Sequence, residues 1–162
     1  MADLLTSLAT LAGTRLREKG ALLVTAESCT GGWVAQAVTA IAGSSEWFER
    51  GFVAYSNAAK RELLGVASET LERHGAVSEE TARELALGAL QHSSGTISVA
   101  VTGIAGPTGG TPAKPVGLVC FAWATKDGIL SESRHFAGDR GSVRRQSVVR
   151  ALQGVLEVLD SA

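Results

Sequence analysis

Long apolar runs are missing from this 162-residue chain. None approaches the roughly 20 residues that span a bilayer, so no membrane partner is expected. Cysteine is scarce. Cys29 and Cys120 stand alone, without a CxxC or a spaced pair of the kind that holds zinc, and a reducing, cytoplasmic setting is expected. An excess of one charge is missing too. The net charge is -1 and the pI near 6.3, which argues against nucleic acid as a main partner. No HExxH, paired histidine or carboxylate cluster is present, so neither a metal nor a cofactor is expected. A secretory leader is not expected either. The opening MADLLTSLATLAGTRLREKG has no basic residue before its apolar part, and its leucines follow a helical period.

What is present is a globular composition, 45% hydrophobic and 19% charged, with no repeat and no low-complexity tract. Residues 1–162 read as one domain. Leu4, Leu8, Leu11, Ala12 and Leu16 share a helical face that stops at Gly20. A buried strand is predicted over Ala21–Ala26, then a helix through Val34, Ala37, Val38 and Ile41 that closes at Gly43. A short strand over Gly51–Tyr55 and a helical turn over Asn57–Leu64 follow. Ser78 is a good N-cap, and Glu79 and Glu80 suit the positive end of the next helix dipole. Strands are expected over Thr96–Thr102, Val116–Ala124 and Ile129–Phe136, the last two joined by a turn at Lys126-Asp127-Gly128. Val148, Leu152, Val155, Leu156 and Leu159 mark a closing helix. Helices on both faces of a mixed sheet give an α/β class: a three-layer α/β/α single domain. Trp47 and Phe48 sit in a predicted loop and suggest a self-association surface, hence a homo-oligomer, although core burial is the ordinary fate of such residues.

In sheets of this kind ligands bind beyond the carboxyl ends of the strands. Three unusual segments are expected there: Glu27–Gly32, Tyr55–Lys60 and Gly103–Pro107. In the first, Ser28 or Thr30 is either a plain helix N-cap or part of a corner that presents a nucleophile beside unpaired amides. It does not match GxSxG. A serine needs a base. His74, His92 and His135 lie in unremarkable contexts, so lysine is the alternative. An unperturbed lysine titrates near 10.4, and useful basicity at neutral pH needs a fall of roughly 3 pH units, about 4 kcal/mol. Burial or a nearby cation supplies that. Lys60, on a turn beside Tyr55 and Asn57, is the candidate, against the default of a solvated surface lysine. The glycines at 103, 106, 109 and 110 form neither a Walker A loop nor a GxGxxG fingerprint, yet they let backbone amides approach a phosphate. Arg134, Arg140, Arg144, Arg145 and Arg150 bunch near the end, either as a solvated helix face or as a pocket for a small anion.

Taken together, "TAESCTGG", "YSNAAKRELLGV", "GAVSEETA", "VTGIAGPTGG", "KPVG" and "GDR" occur in the order found in the nicotinamide-nucleotide amidohydrolase family, also called the CinA C-terminal domain family. The chain resembles that family from about residue 5 to residue 158. The resemblance implies hydrolysis of the carboxamide of nicotinamide mononucleotide to nicotinate mononucleotide and ammonia, within pyridine-nucleotide recycling. Carried over motif by motif, Ser28 looks like the nucleophile, Lys60 its base, and Tyr55 a hydrogen-bonding partner of the dyad. Thr30, Gly31, Asn57, Thr102, Gly103, Ile104, Ala105, Gly106 and Arg140 would bind the nucleotide, Arg140 and the glycine-loop backbone taking its phosphate. Cys29 matches a family cysteine and is not taken as the nucleophile.

Two departures stand out. The large N-terminal domain that some members carry has no room in 162 residues, so the deamidase function alone is expected. Leu118 stands where a threonine is common after "KPVG", which reads as strand packing. The rivals are a catalytically silent nucleotide-binding or competence-associated module, and an amidase for another pyridine or nucleotide amide.

Overall fold

Asp3 starts the first helix by accepting the Thr6 amide at 2.8 Å, and the computed structural model describes residues 3–161 from this cap onward. Helix α1 (Leu4–Glu18) buries Leu5, Ala9, Ala12, Gly13 and Leu16, a face rotated from the one its leucines suggest. Of that set Ala12 and Leu16 are buried, Leu8 is half-buried, and Leu4 and Leu11 are exposed, because small residues on the inner side let Trp47 pack against Gly13. Strand β1 (Leu23–Glu27) follows, then α2 (Trp33–Thr39), a short 3-10 turn at Ser44–Glu46, and β2 (Phe48–Val53). Next come α3 (Asn57–Leu64), α4 (Ser68–His74) and α5 (Glu79–Gln91). The chain ends with β3 (Ile97–Gly103), β4 (Leu118–Thr125), β5 (Gly128–His135) and α6 (Arg140–Asp160). No helix among the described residues is long and apolar enough to cross a membrane.

The five strands lie in the order β2-β1-β3-β4-β5. β1 runs parallel to both β2 and β3, while β3–β4 and β4–β5 are antiparallel. Alternation along the strands sorts the core into two halves. Leu23, Ile97, Val99, Val101, Val119, Phe121 and Trp123 face α1, α2 and α6. Val24, Ala26, Ala100, Cys120, Ala122 and Ala124 face α3 and α5. The second face is small-residued because α5 approaches closely, with Ala82, Ala86 and Ala89 on its inner side. The first is large-residued, and Phe121 stacks on Trp123 with ring centroids 5.7 Å apart beneath α6. The result is the expected three-layer α/β/α arrangement around a mixed sheet.

Boundaries differ from the sequence expectation in ways that have physical causes. β1 begins at Leu23 and extends through Glu27, because the Leu23 and Glu27 positions pair on both sides, with β2 and with β3. β2 begins at Phe48, earlier than Gly51, since Leu23 pairs with Phe48 across the sheet. α4 was not expected. It is seven residues long, its N-cap is Ala67 with no side-chain bond, and so it carries no periodic or capping signal. The Ala67 amide is satisfied at a distance, by Glu84 at 2.9 Å. α6 starts at Arg140, well before Val148, because Asp139 caps it by accepting the Ser142 amide at 2.9 Å. Trp47 is 1% exposed, packed where a Cβ on Gly13 of α1 would meet its ring at 2.5 Å. Phe48 also packs on the core. Trp47 offers no self-association surface, because the 3-10 turn folds it against α1, whereas Phe48 stays half-buried at the start of β2.

Candidate active site

β1, β2 and β3 run parallel, so the loops after Glu27, Val53 and Gly103 leave the sheet at the same, carboxyl end of the strands. The crossover through α2 lies on one face and the return through α3, α4 and α5 on the other. The three segments singled out in the sequence therefore meet above β1, at the kind of crevice where doubly covered sheets bind ligands.

The first segment is held from both ends. The Ser28 amide donates to Val101 O of β3 at 3.0 Å, and the Gly31 amide closes a β-turn onto Ser28 O at 3.0 Å. Gly31 (φ 60°) and Gly32 (φ 100°) then take left-handed backbone that side chains resist, letting the chain turn sharply into α2. Neither Ser28 nor Thr30 is the helix N-cap. That position is Gly32, which has no side chain to offer. The capping is done by Glu27 instead. Its carboxylate, 2% exposed, accepts the Val34 and Ala35 amides at 2.8 and 3.0 Å and the Thr30 hydroxyl at 2.6 Å. A buried carboxylate against a helix N-terminus is favourable, because the dipole and the orphan amides both stabilise its charge.

Ser28 and Lys60 come together in this corner. Ser56 caps α3 by accepting the Ala59 amide at 3.0 Å, which sets Lys60 on the inner side of the first turn. Lys60 is 1% exposed, and its Nζ donates to Ser28 Oγ at 3.2 Å and to Tyr55 O at 2.9 Å. No carboxylate accepts from it among the described residues. Burial pushes its pKa below the ordinary lysine value, outweighing the opposing pull of the nearby Cys29. Cys29 is buried as well, and its thiol is pushed up to about 12, chiefly by burial. At neutral pH that sulfur stays protonated and is a poor nucleophile.

The remaining candidates divide. Tyr55 reaches the dyad through its main-chain carbonyl, while its ring is 61% exposed and its hydroxyl accepts from Arg140 Nη2 at 3.3 Å. Asn57 opens α3 and is exposed. The Thr30 hydroxyl gives its proton to Glu27, and the Thr30 carbonyl accepts from Arg144. Thr102 Oγ1 donates to Ala76 O at 2.8 Å, tying β3 to the loop before α5. Gly103 has no room for a side chain: a Cβ would lie 2.8 Å from Val119 Cγ2, 3.0 Å from Leu118 O and 3.1 Å from Cys29 Sγ. The Ile104 amide is bonded to Leu118 O at 2.9 Å, Ala105 is buried, and Gly106 O accepts from Arg140 Nη1 at 2.7 Å.

Arg145 is exposed on α6, and the other four arginines of the bunch separate into two groups. Arg140 and Arg144, one turn apart on α6, reach the site. Arg134 and Arg150 join Glu132 and Glu157 in an ion network, with the Arg150 guanidinium 5.2 Å from the centroid of the Trp123 ring. Sequence reasoning missed Glu27 and Arg144 as site residues. Glu27 lay within a quoted motif, but nothing local marks it as a cap for a helix six residues on. Among the described residues no three His, Cys, Asp or Glu side chains gather as a metal site requires. Two surface hollows, of about 600 and about 1040 Å³, contain neither Ser28 nor Lys60. The site is defined by buried polar contacts and not by the size of a hollow.

Comparison with known proteins bears on this geometry. The family model for the CinA C-terminal domain matches residues 5–159. A nicotinamide-nucleotide amidohydrolase PncC from Enterobacter agglomerans is 55% identical over 145 residues, covering 89% of this chain and 88% of that protein. One from Pseudomonas putida is 50% identical over 156 residues, covering 96% and 98%. Among solved structures, the competence/damage inducible protein CihA from Agrobacterium tumefaciens superposes with a TM-score of 0.94 at 46% identity, covering 99% of this chain and 98% of that one.

Proposed function

The chain belongs to the CinA C-terminal domain family, and from that premise we propose that it hydrolyses the carboxamide of nicotinamide mononucleotide to nicotinate mononucleotide and ammonia. The names of its half-identical relatives support the substrate and the reaction. The contact of Lys60 Nζ with Ser28 Oγ at 3.2 Å, made by a buried lysine that no carboxylate among the described residues neutralises, carries the mechanism. A structural lysine in such a place would be expected to carry a counter-charge. One that lacks it is suited to lose its proton.

In this mechanism neutral Lys60 takes the proton from Ser28 Oγ as that oxygen attacks the carboxamide carbon. The Tyr55 carbonyl, by holding one Nζ hydrogen, aims the nitrogen lone pair at the serine. The tetrahedral oxyanion collapses, the C–N bond breaks, and the Lys60 ammonium returns the proton so that ammonia leaves. Water, deprotonated by the again neutral Lys60, then opens the acyl ester and restores Ser28. The substrate's pyridinium adds a cation to the site, a further reason for Lys60 to remain neutral. The backbone of Thr30, Gly31 and Gly103–Gly106, together with Asn57, Thr102 and Arg140, lines the nucleotide, with Arg140 on the phosphate. Pyridine-nucleotide recycling in the cytoplasm, by a homo-oligomer without cofactor, completes the reading.

An ammonia-release assay on nicotinamide mononucleotide tests it. The wild type should be active, Ser28→Ala inactive although folded, and Cys29→Ala should keep most of its activity. An active Ser28→Ala protein beside a dead Cys29→Ala protein would transfer the nucleophile to the thiol. A wild type that binds the nucleotide and releases no ammonia would favour a silent nucleotide-binding module.

A further inference from the structure

Ser28 O and the Gly31 amide close a β-turn whose central peptide joins Cys29 to Thr30. Arg144, a turn beyond the start of α6, grips that turn from outside. Its Nε donates to Cys29 O at 3.0 Å and its Nη2 to Thr30 O at 3.1 Å. Its guanidinium is also stacked over Trp33, 5.5 Å from the ring centroid, so the fork is held in orientation. Gly106–Pro107 is the cis peptide of the described chain, and the Cys29–Thr30 bond is trans. In a trans peptide the N–H points opposite to the C=O. With Cys29 O drawn toward α6, the Thr30 amide points away from α6, toward the side of the sheet from which α3 brings Lys60. The backbone bonds of the turn use the amides of Ser28, Gly31 and Trp33, and that of Thr30 donates to no protein acceptor among the described residues.

Resting on the amidase reading above, we propose that Arg144 is a positioning residue: it locks the Cys29–Thr30 peptide so that the Thr30 amide receives the oxyanion formed when Ser28 attacks. A charged donor on the carbonyl end of a peptide also polarises its N–H, because hydrogen bonds in a chain reinforce one another. The charge of Arg144 is thus delivered to the reacting oxygen through one peptide unit. Arg140, a turn earlier, instead faces the glycine loop and Tyr55. The two arginines of α6 have different tasks.

The test compares wild type, Arg144→Gln and Arg144→Lys on nicotinamide mononucleotide and on nicotinamide riboside, with thermal unfolding as a check on the fold. A lost oxyanion donor costs about 10²–10³ in kcat, and a loosened one less. Arg144→Gln should therefore lose roughly 10- to 100-fold in kcat on both substrates, with KM changed by less than about 3-fold. Arg144→Lys keeps the charge and one donor, and should recover part of the loss. An unchanged kcat in a folded variant overturns the proposal. So does a rise in KM on the mononucleotide alone, which would make Arg144 a phosphate ligand. The rate at which a fluorophosphonate labels Ser28 is read in parallel, since that reagent needs the same oxyanion site and no nucleotide. If the wild type releases no ammonia, the amidase reading fails by itself and labelling decides: slower in Arg144→Gln supports the positioning role, equal or absent labelling removes it.

Discussion

Lys60 is the residue whose burial has measurable consequences in both activity and stability. Its ammonium loses hydration in the folded chain, so the folded protein holds this proton less tightly than the unfolded one. The folded pKa lies below the unfolded value. Between the two the unfolded chain binds more protons, and stability from this group rises with pH. Below the folded pKa the full cost of a buried ammonium is present; it is relieved as pH climbs toward the ordinary lysine value. Lys60→Met should then be more stable than wild type at neutral pH, by a margin that shrinks toward alkaline pH, as urea unfolding across pH would measure. On the proposed mechanism the same proton governs catalysis. The kcat of the wild type should fall about tenfold for each pH unit below the folded pKa, and Lys60→Arg should not restore it, since a guanidinium stays protonated. Flat kcat over that range would mean that Lys60 only binds. That Ser28 and Lys60 were candidates was legible in the sequence, through the family motifs around them. That Tyr55 meets the dyad by its carbonyl while its phenol turns to Arg140 was not, because a residue letter says nothing about which of its groups points inward.

Among the elements, α2 is the one whose start decides the site. It is seven residues long and its N-cap is a glycine, so by itself it would be marginal. Glu27, the last residue of β1, stabilises it by accepting two of its orphan amides and the Thr30 hydroxyl. Hydrogen bonds to a charged group contribute about 1.5–3 kcal/mol net. Glu27→Gln keeps the volume but loses the charge and turns one acceptor into a donor facing amides. It should lower stability by about that amount, a drop in Tm of roughly 3–12 °C for a chain of this size, measurable by calorimetry. An unchanged Tm would show that the carboxylate does not support the helix. Long elements were legible in advance: α1 and α5 by their apolar period, β4 and β5 by the turn between them. Short ones were not. α4 has seven residues, and partners from other parts of the chain, not a local pattern, hold it in place.

Across the whole molecule, the start of α6 is a strut that joins segments far apart in the chain. Arg140 links Gly106 of the glycine loop to Tyr55 before α3, and Arg144 links α6 to the turn after β1. A phosphate on Arg140 would have to compete with Gly106 O and the Tyr55 hydroxyl, exchanging neutral acceptors for an anionic one. Loss of a charge-assisted contact costs about 1.5–3 kcal/mol, so Arg140→Ala should raise KM for nicotinamide mononucleotide roughly 10- to 150-fold. Nicotinamide riboside should be a poor substrate for the wild type and no poorer for the variant. Equal losses on both would make Arg140 a strut alone. The sequence by itself determined the class of fold, the long helices and strands, the family and the segments that carry the site. Hydrophobic period, turn residues and spaced motifs are all properties of neighbouring positions. Tertiary structure alone decided that Glu27 caps α2, that Trp47 lies under α1, that Lys60 is stripped of water beside Ser28, and that Arg144 grips the turn between them and α2. Trp47 lies at the start of β1 against α1, and the others depend on β1, α3 and α6 meeting at the carboxyl end of the parallel strands. Burial and donor–acceptor pairing arise only when chain segments remote in sequence exclude water from the same place.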